Sequence, residues 1–422
     1  MNWNPKIDRG RDTRRNNSAD GRASRKPKVR TSRRWLQMLR KPPTQVLVVA
    51  LTAFIDLMGI GIIIPVSPFY AEKFGADPFE ITILLTVYSA AQLLAAPYLS
   101  RLSDRVGRKP IISLGLAGEV AAYLILAAAN SLVILYVARL IAGVFAANIP
   151  VIQSYVSDVT EESERTASLG VIGAAIGLGF VIGPAISAPL SLIGLRAPIL
   201  LAAALSAANL ILLWILVKEP ARLARNSKVT FSKVFRAASP VYISGGLLNM
   251  AFVGLQVTLA LYGQRIYHWQ AFQVGLVLFL IGLEEAVIQG GLIRRLTLAA
   301  GDLNTAVWGM AVFSASFVML SFRAPQTFLL AALLLLGAGI SLSQPASTSI
   351  ITKIVATDER GAALGLVQSI VAGTNVIGPI VAGWLFQYVS INAPYQLGLV
   401  FAILGITVFY VKRKILSEKM AG

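Results

Sequence analysis

The chain has 422 residues, 56% hydrophobic and only 14% charged, which is too apolar a mixture for a soluble globular domain. Its formal net charge of +18 lies outside the apolar runs and lacks interleaved aromatics, so no nucleic-acid partner is expected. With no Cys and a single His268, there is no basis for disulfides, thiolate sites or a histidine-based metal centre.

Residues 1–44 are polar, rich in Arg and Lys and without apolar periodicity, and read as a disordered basic arm suited to anionic lipid head groups. Six apolar runs follow at 45–66, 81–99, 110–129, 132–152, 167–190 and 197–217. A basic, amphipathic linker at 218–239 leads to six more, at 240–262, 272–292, 303–322, 325–350, 362–388 and 393–411, and a tail at 412–422. Each run is long enough to cross a hydrocarbon core of ~30 Å. Twelve spans put both termini on one side. Of the 38 Lys and Arg, Lys73, Arg196, Arg265 and Arg323 fall in the opposite loops and Arg139 within a span. The positive-inside bias therefore places both termini in the cytoplasm of a multi-pass plasma-membrane protein.

Within this frame a few polar residues stand in hydrocarbon. Span 1 carries Asp56, with Gly59, Gly61 and Pro65 loosening the helix beyond it. A carboxyl so placed faces a cavity or a partner and suits proton handling. Residues 100–109, between spans 2 and 3, form a dense polar knot with Arg101, Asp104, Arg105, Gly107, Arg108 and Lys109, read as a tight interfacial link. Glu119 follows about one turn inside span 3, within reach of a loop cation. Arg139 in span 4 demands a carboxylate or water, because it cannot discard its charge. Asn148, Pro150 and Gln153 weaken the same span, and Asp158 stands in the next loop. In span 5, Gly173 and Gly177, and then Gly179 and Gly183, make flat faces for close helix approach, with Pro184 permitting a kink. Further polar candidates for a central cavity are Asn148 and Gln153, Asn249, Phe252 and Gln256 in span 7, Glu284 and Gln289 in span 8, Gln344 in span 10, and Gln368 and Asn375 in span 11. Of the neighbouring Glu284 and Glu285, at most one can face that cavity, with Arg294 or Arg295 available to the other.

The halves repeat. Pro150, Arg165, Gly170, Gly183 and Pro184 recur 195 residues later as Pro345, Arg360, Gly365, Gly378 and Pro379. The knot is echoed only faintly, at Arg294 and Arg295 before Gly301 and Asp302. Such duplication fits two six-helix bundles, 45–217 and 240–411, with the substrate between them.

Leu102, Asp104, Arg105, Gly107, Arg108 and Lys109 resemble the signature loop of the major facilitator superfamily, with Ser100 in place of its leading glycine. The run from Asp56 to Gly61, Arg139 and the span-5 glycines resemble the superfamily's drug/proton antiporters, the tetracycline/proton group above all. The match departs from that group where Glu285 replaces a histidine of span 8, where Ser314 replaces an acid of span 9, and where Ala122 replaces one in span 3. The resemblance implies an all-α transporter, without cofactor or enzymatic activity and monomeric, that exports small amphipathic or hydrophobic compounds in exchange for protons. It implies proton-coupling roles for Asp56, Glu285 and Arg139, gating roles for Asp104, Arg105, Gly107, Arg108, Lys109 and Asp158, and a substrate other than tetracycline. In the gate, Asp104 is expected to dock on the start of span 11, near 358–361, while Arg108 pairs with Asp158. The other readings are an importer using the same acids in symport, and a transport-inactive receptor or scaffold.

Overall fold

The computed structural model describes residues 44–146, 148–220, 231–356 and 359–421. The basic arm before Thr44, linker residues 221–230 and Asp358 lie outside them. The described chain is helical throughout, as segments with no water to satisfy their backbone must be. Spans 1, 2 and 3 are Thr44–Ile63, Pro78–Val106 and Arg108–Ala128. Span 4 is divided into Leu132–Phe145 and Asn148–Val159, and spans 5, 6 and 7 are Glu162–Ser191, Arg196–Leu216 and Ser239–Tyr267. Span 8 is Ala271–Val287 and runs through a π-helical turn, Ile288–Leu292, into span 9 at Ile293–Leu320. Spans 10, 11 and 12 are Gln326–Ile354, Arg360–Tyr388 and Ala393–Val411.

Eleven helical stretches among the described residues are long and apolar enough to cross a membrane, one of them the 50-residue Ala271–Leu320. As one straight helix that stretch would run about 75 Å, more than twice a bilayer core. Gly301, at φ 79° and ψ 161°, breaks it into two crossings and restores the expected twelve.

The polar knot is helix, not loop. A reciprocal cap between Asp77 and Glu80 starts span 2, which continues through the knot to Val106. Gly107 alone departs from helix, at φ 122° and ψ 157°. Charge at a helix end reaches water, so Arg101 and Arg105 are exposed without any loop. Beyond span 12 the tail is also helical, Arg413–Ala421, and Lys419 Nζ donates to Ala237 O at 2.7 Å. Ala237 ends a short linker helix, Phe231–Ala237.

Two seams join the halves of the sequence: span 2 packs on span 11, and span 5 on span 8. Both are tight at the end away from Gly107. A Cβ on Gly383 would fall 1.8 Å from Thr82 Oγ1, and one on Gly275 would fall 3.0 Å from Pro184 O. Phe79 meets Tyr388 edge-on, and Gln264 Nε2 donates to Glu72 at 2.6 Å. The same helix faces, followed toward the basic end, meet nothing. Gly173 and Gly177 of span 5, Gly290 and Gly291 of the π turn, and Gly361 and Gly365 of span 11 have open space beside them. The two halves part toward the end that carries Gly107 and Arg108.

Candidate functional site

Asp56 and Glu119 lie near the middles of spans 1 and 3, where their side chains meet. Each is 1% exposed. Span 3 begins at Arg108, so Glu119 sits about three turns in, too deep for the loop cation the sequence offered it. Asn148 joins them because Gly115, one turn from Glu119, leaves room: a Cβ there would lie 1.9 Å from Asn148 Oδ1. Among the described residues, nothing hydrogen-bonds Asp56 Oδ1, either oxygen of Glu119, or Asn148 Nδ2. A proton is what two touching carboxyl groups need in such a place, with Asn148 as a further polar neighbour of Asp56.

One residue past Asp56, Leu57 lines a cavity of about 230 Å³ that both halves enclose. Tyr88 and Tyr123 form part of its wall and lie within electrostatic reach of Asp56, Glu119 and Arg139 alike. Arg139 also lines it at 7% exposure, with Nη2 donating to Ser67 Oγ at 2.6 Å. Of the carboxylate or water that Arg139 demands, no carboxylate pairs with it among the described residues, and a hydroxyl stands beside it. Gly143, one turn on, lets span 4 settle on span 2, since a Cβ would fall 2.3 Å from Tyr88 O. Span 4 breaks where Asn148 and Pro150 weaken it, and Gln92 Nε2 of span 2 donates to the freed Ala146 O at 3.0 Å.

A second cavity, about 300 Å³, lies within spans 7, 9, 10 and 11 and has no charged side chain in its wall. Asn249, Phe252, Gln344 and Gln368 line it, while Gln256 and Asn375 line the central one. Asn249 Nδ2 donates to Thr374 Oγ1 at 2.5 Å. Glu284, Glu285, Gln289 and Gln153 line neither. Gln153 and Gln289 are exposed, because the helical turn points them off the lining face. Glu284 is turned into span 10, where a Cβ on Gly337 would lie 2.7 Å from its Oε2, and that oxygen has no partner. Neither Arg294 nor Arg295 forms an ion pair with these acids among the described residues.

Of the span-5 glycines, only one pair packs. Cβ atoms on Gly179 and Gly183 would each lie 2.7 Å from a span-1 carbonyl, of Phe54 and Met58. A Cβ on Gly61 would lie 3.2 Å from Pro184 Cδ, so this glycine serves packing rather than loosening. Gly173 and Gly177 lie in the opened part of the seam, which is why they touch nothing.

At the basic end Arg108 is the hub. Its Nε meets Asp158 Oδ2 at 3.0 Å, and its Nη1 meets Asp104 Oδ1 and Ser103 Oγ, each at 2.6 Å. With the halves apart, Asp104 is held by its own neighbour and not by span 11. Glu219, unremarked in the sequence, caps span 3 by accepting from the backbone N–H of Arg108 at 2.6 Å and Lys109 at 2.9 Å. Lys109 lies over Trp214 at 5.0 Å. The Major Facilitator Superfamily model matches residues 49–301 and 290–419, nearly the whole described chain. The chain belongs to the major facilitator superfamily.

Among its relatives in Escherichia coli, the tetracycline resistance protein of class C is 30% identical over 81% of this chain and 89% of its own. That of class E is 32% identical over 79% and 86%. A solved bacterial homologue of the human lysosomal transporter Spinster, inward-facing and occupied, superposes with a TM-score of 0.73 at 15% identity, over 89% of this chain and 97% of its own, a likeness of fold.

This facilitator's internal repeat reaches down to single hydrogen bonds. Arg165 Nη2 donates to Ser157 O at 3.2 Å, and Arg360 Nε to Thr352 O at 3.0 Å, each eight residues back. Gly301 repeats the positive φ of Gly107. Just after Gly301, Asp302 pairs with Lys353 and accepts from Ser349 Oγ at 2.8 Å. Arg108 with Asp158 and Asp302 with Lys353 thus occupy equivalent places with their charges exchanged. Comparing residue letters hides this echo, because the basic partner has changed sides.

Proposed function

We propose that this facilitator exports small amphipathic or hydrophobic compounds in exchange for protons, by alternating access between bundles 45–217 and 240–411. The observation that carries it is the Asp56–Glu119 pair: two buried carboxyl groups that meet, with Asp56 Oδ1 and both oxygens of Glu119 unbonded among the described residues, beside a cavity enclosed by both halves. A proton taken up there removes charge from the pair buried behind the cavity wall. Tyr88 and Tyr123 supply hydroxyls between the acids, the cavity and Arg139. Glu119 joins Asp56 in the proton-coupling role, which the resemblance gives to Asp56, Glu285 and Arg139.

The bias of Lys and Arg supports a cytoplasmic basic end, with both termini there. The seam then stands open to the cytoplasm, the state in which an exporter collects its cargo. On closing, Asp104 exchanges Arg108 for the first turn of span 11. The curated relatives carry names of drug resistance, which supports export of foreign amphipaths across the plasma membrane by a monomer in a lipid bilayer.

Reconstitution into liposomes with an imposed pH gradient tests the reading. A panel of labelled lipophilic compounds should move against the proton flow, and Asp56→Asn should abolish this while the protein still inserts. Full gradient-driven transport by the Asn variant would overturn the assignment; movement with the proton flow would make the protein an importer.

A further inference from the structure

We propose that the central cavity binds an amphipathic organic anion, with Arg139 as the partner of its carboxylate. The proposal rests on reading that cavity as the transport cavity, and concerns the charge of the cargo alone.

Among the described residues, Arg139 is the one charged side chain in the cavity wall. At 7% exposure it is cut off from bulk water, yet among the described residues it holds one hydroxyl: Nη2 bonds Ser67 Oγ, and Nε has no partner. A guanidinium carries five N–H donors in a planar fork, so most of its capacity is unspent. A buried charge left without a counter-charge costs several kcal/mol, and Arg cannot escape by losing its proton. The acids nearest in sequence logic, Asp56 and Glu119, are turned to each other and line no part of the cavity. Arg108 in the same protein shows what a satisfied cation looks like, with two carboxylates on its fork.

The remaining wall defines the rest of the ligand. Leu57, Ile60 and Phe180 are apolar, Tyr88 and Tyr123 offer ring faces, and the volume is about 230 Å³. An aryl or alkyl body of modest size fits such a space, and a carboxylate matches the fork two bonds at a time. A cationic cargo would meet Arg139 without any acid in the wall to offset it. The cavity within spans 7, 9, 10 and 11 has no charge at all and gives no such preference.

The test is a charge series of near-equal shape, 4-phenylbutyrate, its amide and 4-phenylbutylamine, titrated calorimetrically into the full chain in lipid nanodiscs. The carboxylate should bind about tenfold or more tightly than the amide, the scale of a charge-assisted hydrogen bond, and the amine most weakly. Arg139→Gln should erase the advantage of the carboxylate while leaving amide affinity within about twofold, and Arg139→Lys should keep part of it. Ser67→Ala retains the charge and should retain the preference, which covers the case in which Arg139→Gln does not fold. Equal binding of all three, tighter binding of the amine, or no binding of the carboxylate at millimolar concentration would each overturn the proposal. So would loss of carboxylate binding when sulfate is replaced by chloride, since a simple halide would then fill the site. No proton gradient is present, so these failures leave the Asp56 test of transport standing.

Discussion

Replacing Glu119 by Gln gives Asp56 a donor in place of a second acid. The variant should therefore be more stable, by about 1–3 kcal/mol, because a buried group gains the bond it lacked. Thermal unfolding in detergent measures the gain, and the same variant should lose proton-driven transport as fully as Asp56→Asn. Stabilisation with transport intact would mean that the pair is structural. Gly107 makes the opposite case. Its backbone lies in a region almost closed to other residues, and a Cβ would sit 2.8 Å from Glu219 Oε1. Gly107→Ala should cost about 1–3 kcal/mol of unfolding free energy. A change below about 0.5 kcal/mol would show that the turn adapts. Asp56 and Arg139 were legible in the sequence because charge in hydrocarbon stands out wherever it falls. The partners were not. Glu119 reads as a partner for the nearby loop bases, because sequence distance does not show that about three turns of helix carry it away from them. Glu219 caps a helix more than a hundred residues away in sequence, which no local pattern announces.

The spans themselves could be read from hydropathy to within a few residues, since twenty apolar residues leave a chain few alternatives. Their ends could not, because polar residues extend a helix into water as readily as they end it. Span 2 runs through the knot for that reason. The seams carry a further consequence. Thr82 meets Gly383, and twenty-two residues further along each antiparallel helix stand Asp104 and Gly361. Gly282 meets Val181, and eight residues further stand Gly290 and Gly173. Closure of the basic end should bring both pairs together. The chain has no Cys, so cysteines at 173 and 290 report closure cleanly. Their crosslinking should rise when substrate and pH conditions favour the opposite opening, and should fall in an Asp104→Asn background. Unchanged crosslinking would remove Asp104 from the gate. Gly183→Ala should destabilise the fold through its 2.7 Å approach to Met58 O, while Gly173→Ala should leave stability alone and slow turnover.

Across the whole molecule the two halves keep one plan and divide the labour. The first half holds the acid pair and Arg139; the second holds an uncharged cavity. At the basic end, Arg108 with Asp158 in the first half and Asp302 with Lys353 in the second hold equivalent places in opposite polarity. If these pairs brace their bundles during rocking, Asp302→Lys should slow transport, and adding Lys353→Asp should restore most of it. The same exchange made at Arg108 alone should not be rescued, because Arg108 also serves Asp104 and the cap at Glu219 depends on its position. The claim beneath all of this is that protons and cargo move through one protein in opposite directions. Liposomes loaded with the best-transported compound, at equal pH on both sides, measure it directly with a lumenal pH dye. As the compound leaves down its gradient the lumen should acidify, and Asp56→Asn should keep it neutral. A lumen that turns alkaline, or one that never changes while the compound still escapes, would contradict proton exchange.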